Sequence, residues 1–560
     1  MKQLDSIINK IASGKYIQFW IFFSVLVLLS AMMVYLYTPF CPGHDSYFHF
    51  RRMQALMEGI NNPYLIYLDY TAIEGYGYFT KAFYSDFLLI PFALLGKATG
   101  VDFAYQSLLF VMTVLCGLFT YMSVNRIYKN RYAAATSALL YTFCLYRLLD
   151  IYQRGALGEA ISFTFVPLVF WGVYEILHGD YKKKWYILTI GFSLLVLTHA
   201  IASLLMFITI VIVMLVYYKS FVKEPKRLSY LVLAGVVTLA ISAYYILPML
   251  EQTLSNTFYY QTNPLTSLQE NLLSNYSIIK GLFAGFIYPM QVFIPGTGLI
   301  LTCAIILRLF VYNKSAALKS VDIGVLIGFI YIVMTWYFFP WKIFPFNKLE
   351  IIQMPWRLLE FSSYFFAVAG GFYLSQLSLS RKKLLIAGFI IVAAISIVMV
   401  NDSKLYHDSR CSLGIKREAL AENRYHLIGL EYLPEKVPSI EYIIQRGDNI
   451  TAGNKETRLS NLSKRSGITS VDITISGKDQ LEMPLVYYKG YKATLNNAEV
   501  TVLESANGLV EIPVDKSGRV EVYYAGTVVQ RTGFITTILA ILALCLYISV
   551  RNRRSKKQKL

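Results

Sequence analysis

Charge is scarce in this sequence, and acid is the scarcer sign. Asp, Glu, Lys and Arg make up 15% of the 560 residues, where soluble domains carry about 25%. That shortfall excludes an ordinary water-soluble globule. With 56% hydrophobic residues and a mean hydropathy of +0.48, the chain reads as an integral membrane protein. The formal charge of +18 would suit a nucleic-acid partner. In a polytopic chain, however, lysine and arginine collect in short cytoplasmic loops, so no nucleic acid is expected.

Cysteine is also sparse. Six are present with no CxxC and no Cys/His metal spacing, which excludes a zinc module or a disulfide-dense scaffold. Cys116, Cys144, Cys303 and Cys545 lie in apolar runs and read as core residues. For Cys41 and Cys411 a disulfide and two free thiols both stay open. No small-residue cleavage site follows the first apolar run, 17–38, so it reads as a retained helix. No repeat of fixed period appears, and no low-complexity segment beyond the basic tail.

What the chain does hold is apolar runs, basic clusters and aromatics. A span needs about 20 apolar residues, fewer inside a bundle. Crossings are predicted near 17–38, 104–125, 132–149, 160–177, 185–199, 201–218, 229–249, 283–308, 321–339, 357–377, 384–400 and 532–550. This polytopic helical fold of about twelve crossings puts every basic cluster on one side, with both termini: 126–131, 182–184, 219–227, 308–319, 381–383 and the tail "RNRRSKKQKL". That side is cytoplasmic by the positive-inside rule, and the tail doubles as a contact for anionic membrane lipids. The uninterrupted run 185–218 is expected to turn at "THA", placing His199 at the outer face. Residues 83–100 read as an embedded or interfacial helix, not a span.

The outer face then receives a first loop at 39–103, loops at 150–159, 251–280 and 340–356, and the stretch 401–530. In that stretch "SVDITIS", "AEVTVLE" and "GRVEVYYAG" alternate apolar and polar residues between Gly and Asn turns, predicting a small β-rich domain before the last helix and tail, 531–560. Residues 1–400 form the membrane module.

Several outer loops carry the same chemistry. If "HDSYFHFRRM" is helical, Asp45, His49 and Arg52 stand at i, i+4 and i+7, within about 40° of one another. The alternative is that Asp45 caps the helix and Arg52 snorkels to lipid phosphate. "DIYQRGALGEAISF" adds Asp150, Arg154 and Glu159, with Gly155 and Gly158 leaving room for close approach; Arg154 and Glu159 simply pairing is the bland reading. "FFPWKIFPFNKLEIIQMPWRLLEF" adds Lys342, Lys348, Arg357 and Trp356, and Lys81 supplies another cation. His44, His49 and His199 are candidates too, each balanced against a hydrogen-bonded structural role. An acid beside a hydroxyl acts as general base, and guanidinium neutralises a departing phosphate. The substrate that fits this depth is a sugar carried on a lipid phosphate, held in line with its acceptor.

The stretches "GHDSYFHFRRM", "RGALGEAISFTFVPL", "LTHAIASLL", "IQMPWRLLEF" and "MPLVYYKGYKATLNN" together resemble the YfhO-like bacterial membrane proteins of the GT-C glycosyltransferase superfamily. The resemblance implies a hexosyl- or N-acetylhexosaminyltransferase of the bacterial plasma membrane. It would move sugar from undecaprenyl phosphate, or another polyprenyl phosphate, to an extracytoplasmic envelope polymer such as a teichoic acid. By position, Asp45 takes the place of the catalytic carboxylate, Glu159 and Arg154 that of the second outer motif, and Arg357 that of the basic residue after "PW". Tyr487, Tyr488, Gly490 and Tyr491 carry the similarity into the outer domain. No metal is expected to be required; Mg²⁺ or Mn²⁺ would need Asp45, Asp150 and Glu159 to meet. The rivals are a lipid-linked glycan transporter or flippase, a related polymer ligase or polymerase, and a non-enzymatic envelope-assembly protein. Transporters place ionisable groups at the midplane, whereas the predicted crossings here are nearly free of charge at their middles.

Overall fold

The computed structural model describes residues 15–38, 45–59, 68–80, 83–263, 266–285, 294–410, 431–465 and 467–557. Cys41, His44, Lys81 and Cys411 lie outside them. The chain is mostly helical and divides into two compact units. One comprises Met1–Ser46, Gln106–Thr238 and Thr266–Arg417; the other comprises Tyr47–Tyr105, Leu239–Leu265 and Glu418–Leu560.

A helix falls within each of the twelve expected crossings. Five are long and apolar enough to cross a membrane, namely Tyr16–Leu36, Val101–Tyr128, Ala316–Met334, Arg381–Ser409 and Val528–Arg553. A sixth candidate is the pair Lys226–Ile241 and Ala243–Ser255, bent by 71°. The others are shorter or interrupted. Residues 132–149 divide into Arg131–Thr142 and Leu145–Leu149, and 160–177 is broken between Ser162 and Val166. The run 185–218 divides at "THA" into Tyr186–Val196 and Ala200–Val216. Residues 83–100 hold a helix of 10 residues, Ile90–Thr99, about 15 Å long and too short to span.

In the first unit, Asn130 caps Arg131–Thr142 by accepting from the Ala133 amide at 3.0 Å, and Ser315 caps Ala316–Met334 through Leu318 at 3.0 Å. These caps satisfy amides that a helix start leaves unpaired. The helix Leu359–Gln376 packs against both Arg131–Thr142 and Ala316–Met334. Near the end of Val166–Leu177 the buried Glu175 receives Arg126 at 2.6 Å and the Trp171 indole at 3.0 Å. The helix Arg381–Arg410 runs beyond the expected boundary at residue 400, and in that extension Ser403 and His407 bond the Leu36 carbonyl at 2.7 and 3.0 Å.

The second unit holds the β-rich part. Nine strands are present among the described residues: β1 (Thr451–Ala452), β2 (Arg458–Arg465), β3 (Ile468–Thr474), β4 (Asp479–Val486), β5 (Tyr491–Leu495), β6 (Ala498–Val500), β7 (Leu503–Glu504), β8 (Leu509–Val514) and β9 (Gly518–Tyr524). They form two antiparallel sheets in the orders β1-β4-β8-β7 and β2-β3-β9-β5-β6. Val471 stands opposite Val520, and Val520, Val522 and Tyr524 all point inward, as the alternation requires.

This core recruits part of the first expected loop. Leu68, Ile73, Tyr76, Tyr78 and Phe79 are buried with the strand residues, and the Val486 amide donates to the Tyr76 carbonyl at 2.9 Å. The expected grouping of 39–103 with the membrane module therefore differs from what is observed, since 68–80 completes the β core. The turn that seats it is strained, with Ile73 and Glu74 both at positive φ (54° and 53°).

Candidate active site

Asp150 to Arg154 form one π-helical turn, which ends where Gly155 takes a left-handed conformation at φ +66°. Spaced four apart, Asp150 and Arg154 face each other, and Arg154 Nη1 reaches Asp150 Oδ1 at 2.7 Å. The chain then enters the helix Leu157–Ser162, which carries Glu159 back to the same guanidinium, Nη1 to Oε2 at 2.7 Å. From 198 residues away, Arg357 Nε donates to the same Oε2 at 3.4 Å. The other oxygen, Oε1, accepts from the Tyr146 hydroxyl at 2.5 Å. Glu159 is thus bonded at both oxygens. Asp150 is fully buried, and Glu159 is 2% exposed.

Burial pushes Glu159 upward, but the Arg154 and Arg357 guanidiniums overrule it and hold the carboxyl down at about 2. Asp150 goes the other way. Burial, joined by the charge of Glu159, raises it well above the usual carboxylate range despite Arg154, and its Oδ2 has no hydrogen-bond partner among the described residues. The buried set brings the Asp150 and Glu159 carboxyls against the Arg154 and Arg357 guanidiniums. Arg357 also donates Nη1 to the Ile352 carbonyl at 2.8 Å. Its Nη2 makes no hydrogen bond among the described residues.

Asp45 meets this set through the backbone. Its amide donates to the Arg154 carbonyl at 2.9 Å, and its charge is among those that act on Arg154. The approach depends on Gly155, where a Cβ would lie 2.6 Å from Ser46 Cβ. Asp45 is half-buried, and among the described residues no group donates to its carboxylate. The capping alternative therefore finds no bond. Gly158 serves similarly beside His199, whose Cδ2 a Cβ there would meet at 3.3 Å. His199 caps Ala200–Val216, Nδ1 accepting from the Ala202 amide at 3.2 Å. An accepting Nδ1 carries no proton, so the imidazole presents its other nitrogen as donor.

The remaining predicted residues are elsewhere. The helix Ser46–Gly59 starts one residue after Asp45, and the expected convergence of Asp45, His49 and Arg52 gives way to a different pairing. Arg52 is buried against Asp86 at 2.6 Å, the Ser85 carbonyl at 3.0 Å and the Tyr84 carbonyl at 3.3 Å, with His49 Nδ1 at 3.1 Å from its Nη1. Asp86 wins Arg52 because a buried guanidinium requires a carboxylate, and the segment after Lys81 supplies one. Lys348 is exposed on the 3₁₀ turn Phe346–Ile352, outside the network.

Sequence reasoning missed Tyr146, Asp86 and the buried Glu360, which accepts from Ser162 Oγ at 2.7 Å. Two signals were present: Tyr146 stands four residues before Asp150, and Glu360 stands three after Arg357. Among the described residues no three His, Cys, Asp or Glu side chains gather as a metal site. Asp150 and Glu159 share the Arg154 guanidinium, each at 2.7 Å.

No family model matches the chain. It is similar to an uncharacterized protein of Lactococcus lactis subsp. cremoris (strain MG1363), 21% identical over 596 residues that cover 96% of each chain. That similarity runs through the helical regions and the β-rich part together.

Proposed function

We propose that this protein is a membrane glycosyltransferase of GT-C type, with about twelve crossings, acting at the outer face of a bacterial plasma membrane. It moves a sugar from a polyprenyl phosphate to an envelope polymer. The observation that carries the reading is the uncommitted Asp45 carboxylate, tethered through its amide to Arg154 beside a buried set that holds two guanidiniums. In the reaction the acceptor hydroxyl gives its proton to Asp45 and its oxygen bonds to the anomeric carbon. The bond from that carbon to phosphate oxygen breaks, and the electron pair leaves on the polyprenyl phosphate. Arg357, through its free Nη2, and Arg154 neutralise that anion. Glu159 is saturated by donors, so in this reading it positions both guanidiniums and Asp45 alone is the base.

The test is transfer by purified protein in lipid nanodiscs given radiolabelled undecaprenyl-phosphate sugar and envelope polymer. Wild type should consume the donor, and Asp45→Asn should lose at least about 100-fold in rate, the usual scale for a general base, while eluting as a folded monodisperse protein. Full turnover by folded Asp45→Asn would remove the base from the scheme. Failure of wild type to consume any polyprenyl-phosphate sugar would remove the transferase.

A further inference from the structure

The exposed side of the span Ala316–Met334 bears Leu326, Ile330 and Val333, 60%, 46% and 48% exposed, at the three-and-four spacing of one helical stripe. The stripe does not stop where the helix does. Tyr337 and Phe338 continue it at 46% and 64%, and beyond them Ile343, Phe344 and Ile351 stand exposed at 63%, 75% and 63%. A loop after a span ordinarily turns polar at this point. This one instead offers aromatic and branched apolar groups to whatever surrounds it.

The loop is not frayed. Tyr337 N donates to the Leu273 carbonyl at 3.1 Å, and the Leu273 amide donates to Thr335 O at 2.8 Å. The Trp336 indole donates to Asn275 Oδ1 at 2.8 Å, while Trp341 is buried with its indole on the Met334 carbonyl at 2.8 Å. The apolar surface is therefore presented by a fixed scaffold. Two exposed lysines, Lys342 and Lys348, are set among these groups, with one exposed acid, Glu350. Apolar rings with cations beside them match the boundary where acyl chains meet phosphate headgroups.

We infer that residues 337–351 lie within the headgroup boundary of the bilayer, as a lipid-docking surface continuous with the span that precedes it, the two lysines meeting anionic lipid phosphate. Two features favour lipid over a protein partner. The surface extends the outward stripe of a helix apolar enough to span, and its cations sit where anionic headgroups would be. The inference does not depend on glycosyl transfer, because any membrane protein with this loop would seat it in the same way.

The test uses the full chain with its cysteines replaced, carrying Phe344→Cys labelled with the environment-sensitive dye NBD. It is reconstituted in vesicles of phosphatidylcholine and phosphatidylglycerol at three to one. Ile351→Cys is a second reporter should the first disturb folding, and Lys478→Cys, on an exposed turn, is the aqueous control. Lipid bearing a nitroxide at a shallow chain position should quench the loop dye at least twofold more than it quenches the control. Aqueous iodide should do the reverse. Replacing phosphatidylglycerol with phosphatidylcholine, or Lys342 and Lys348 with Gln, should reduce the nitroxide quenching. Iodide quenching equal to that of the control would overturn the inference. So would protection from both quenchers accompanied by cross-linking between copies at residue 344, which would identify a second protein as the occupant. Indifference to headgroup charge and to both lysine substitutions would overturn the role of the lysines.

Discussion

Two isosteric substitutions in the buried network should behave very differently although they look alike. Glu159→Gln and Asp150→Asn each replace one carboxylate oxygen by an amide at a site that Arg154 Nη1 reaches at 2.7 Å. Glu159 is ionised and takes three donors, two of them guanidinium. Its neutral replacement leaves Arg154 and Arg357 undercompensated, a loss of about 3–5 kcal/mol for a broken buried pair. Asp150 is raised by burial and by the charge of Glu159, so Asn there removes less charge compensation than Gln does at Glu159. Its cost is that of one poorly satisfied amide in place of the unpartnered Oδ2, about 1 kcal/mol.

The pH signs follow from the same assignment. Glu159 is depressed to about 2, so its contribution is present above the ordinary carboxylate value and is lost as pH falls toward about 2. Asp150 is raised, so its contribution is full at low pH and is lost as pH rises through its elevated value. The assay is the apparent unfolding midpoint of detergent-solubilised protein at one scan rate, read by size-exclusion fluorescence at pH 7 and at pH 4.5. At about 2 °C per kcal/mol, Glu159→Gln should fall by roughly 6–10 °C and Asp150→Asn by roughly 2 °C. Equal losses, or the larger loss at Asp150, would show that the charge sits on the other carboxyl and would refute the assignment.

Two further substitutions separate geometry from chemistry. Gly155→Ala pays for a left-handed Cβ, about 1–2 kcal/mol, and must also push Ser46 away; hydrogen exchange at the Asp45 amide should quicken, and unchanged exchange would mean that Ser46 yields at no cost. His199→Ala should lose the helix cap, about 0.5–2 kcal/mol, while His199→Asn should regain most of it. An alanine variant with an unchanged midpoint would rule out the cap.

How much of this was legible in the sequence depends on the range of each interaction. The helices sit where apolar runs end in basic clusters, because desolvation of a long apolar segment is a local property. The strands β3 and β9 follow from alternation, which is local as well. The division of 132–149 was not legible, since nothing in "YAAATSALLYTFCLYRLL" announces a break between Thr142 and Leu145. Nor was the transfer of 68–80 to the β core, which rests on contacts such as Tyr76 with Val486 across more than 400 residues. Arg52 was expected beside Asp45 because helical spacing was the available guide, and its true partner, Asp86, is 34 residues on with no periodic relation to it.

The site was legible in residue type and not in role. Counting acids and cations in the loops found Asp45, Arg154, Glu159 and Arg357, yet composition cannot distinguish a carboxylate that holds a network together from one left free to react. That distinction is a matter of hydrogen-bond capacity. A carboxylate has about four lone-pair positions, and Glu159 gives both of its oxygens to Arg154, Arg357 and Tyr146. A group so bound and held near pKa 2 is a poor acceptor for a proton near neutral pH. Asp45 is half-buried and fixed through its amide to Arg154, and its carboxylate accepts no hydrogen bond among the described residues, so its lone pairs are uncommitted there. In a purely structural cluster Asp45 would be expected to turn its carboxylate onto the neighbouring guanidinium, because an unpaired charge beside an arginine gains by pairing. Here the contact with Arg154 runs through the backbone amide at 2.9 Å, and no hydrogen bond or ion pair joins the two side chains among the described residues.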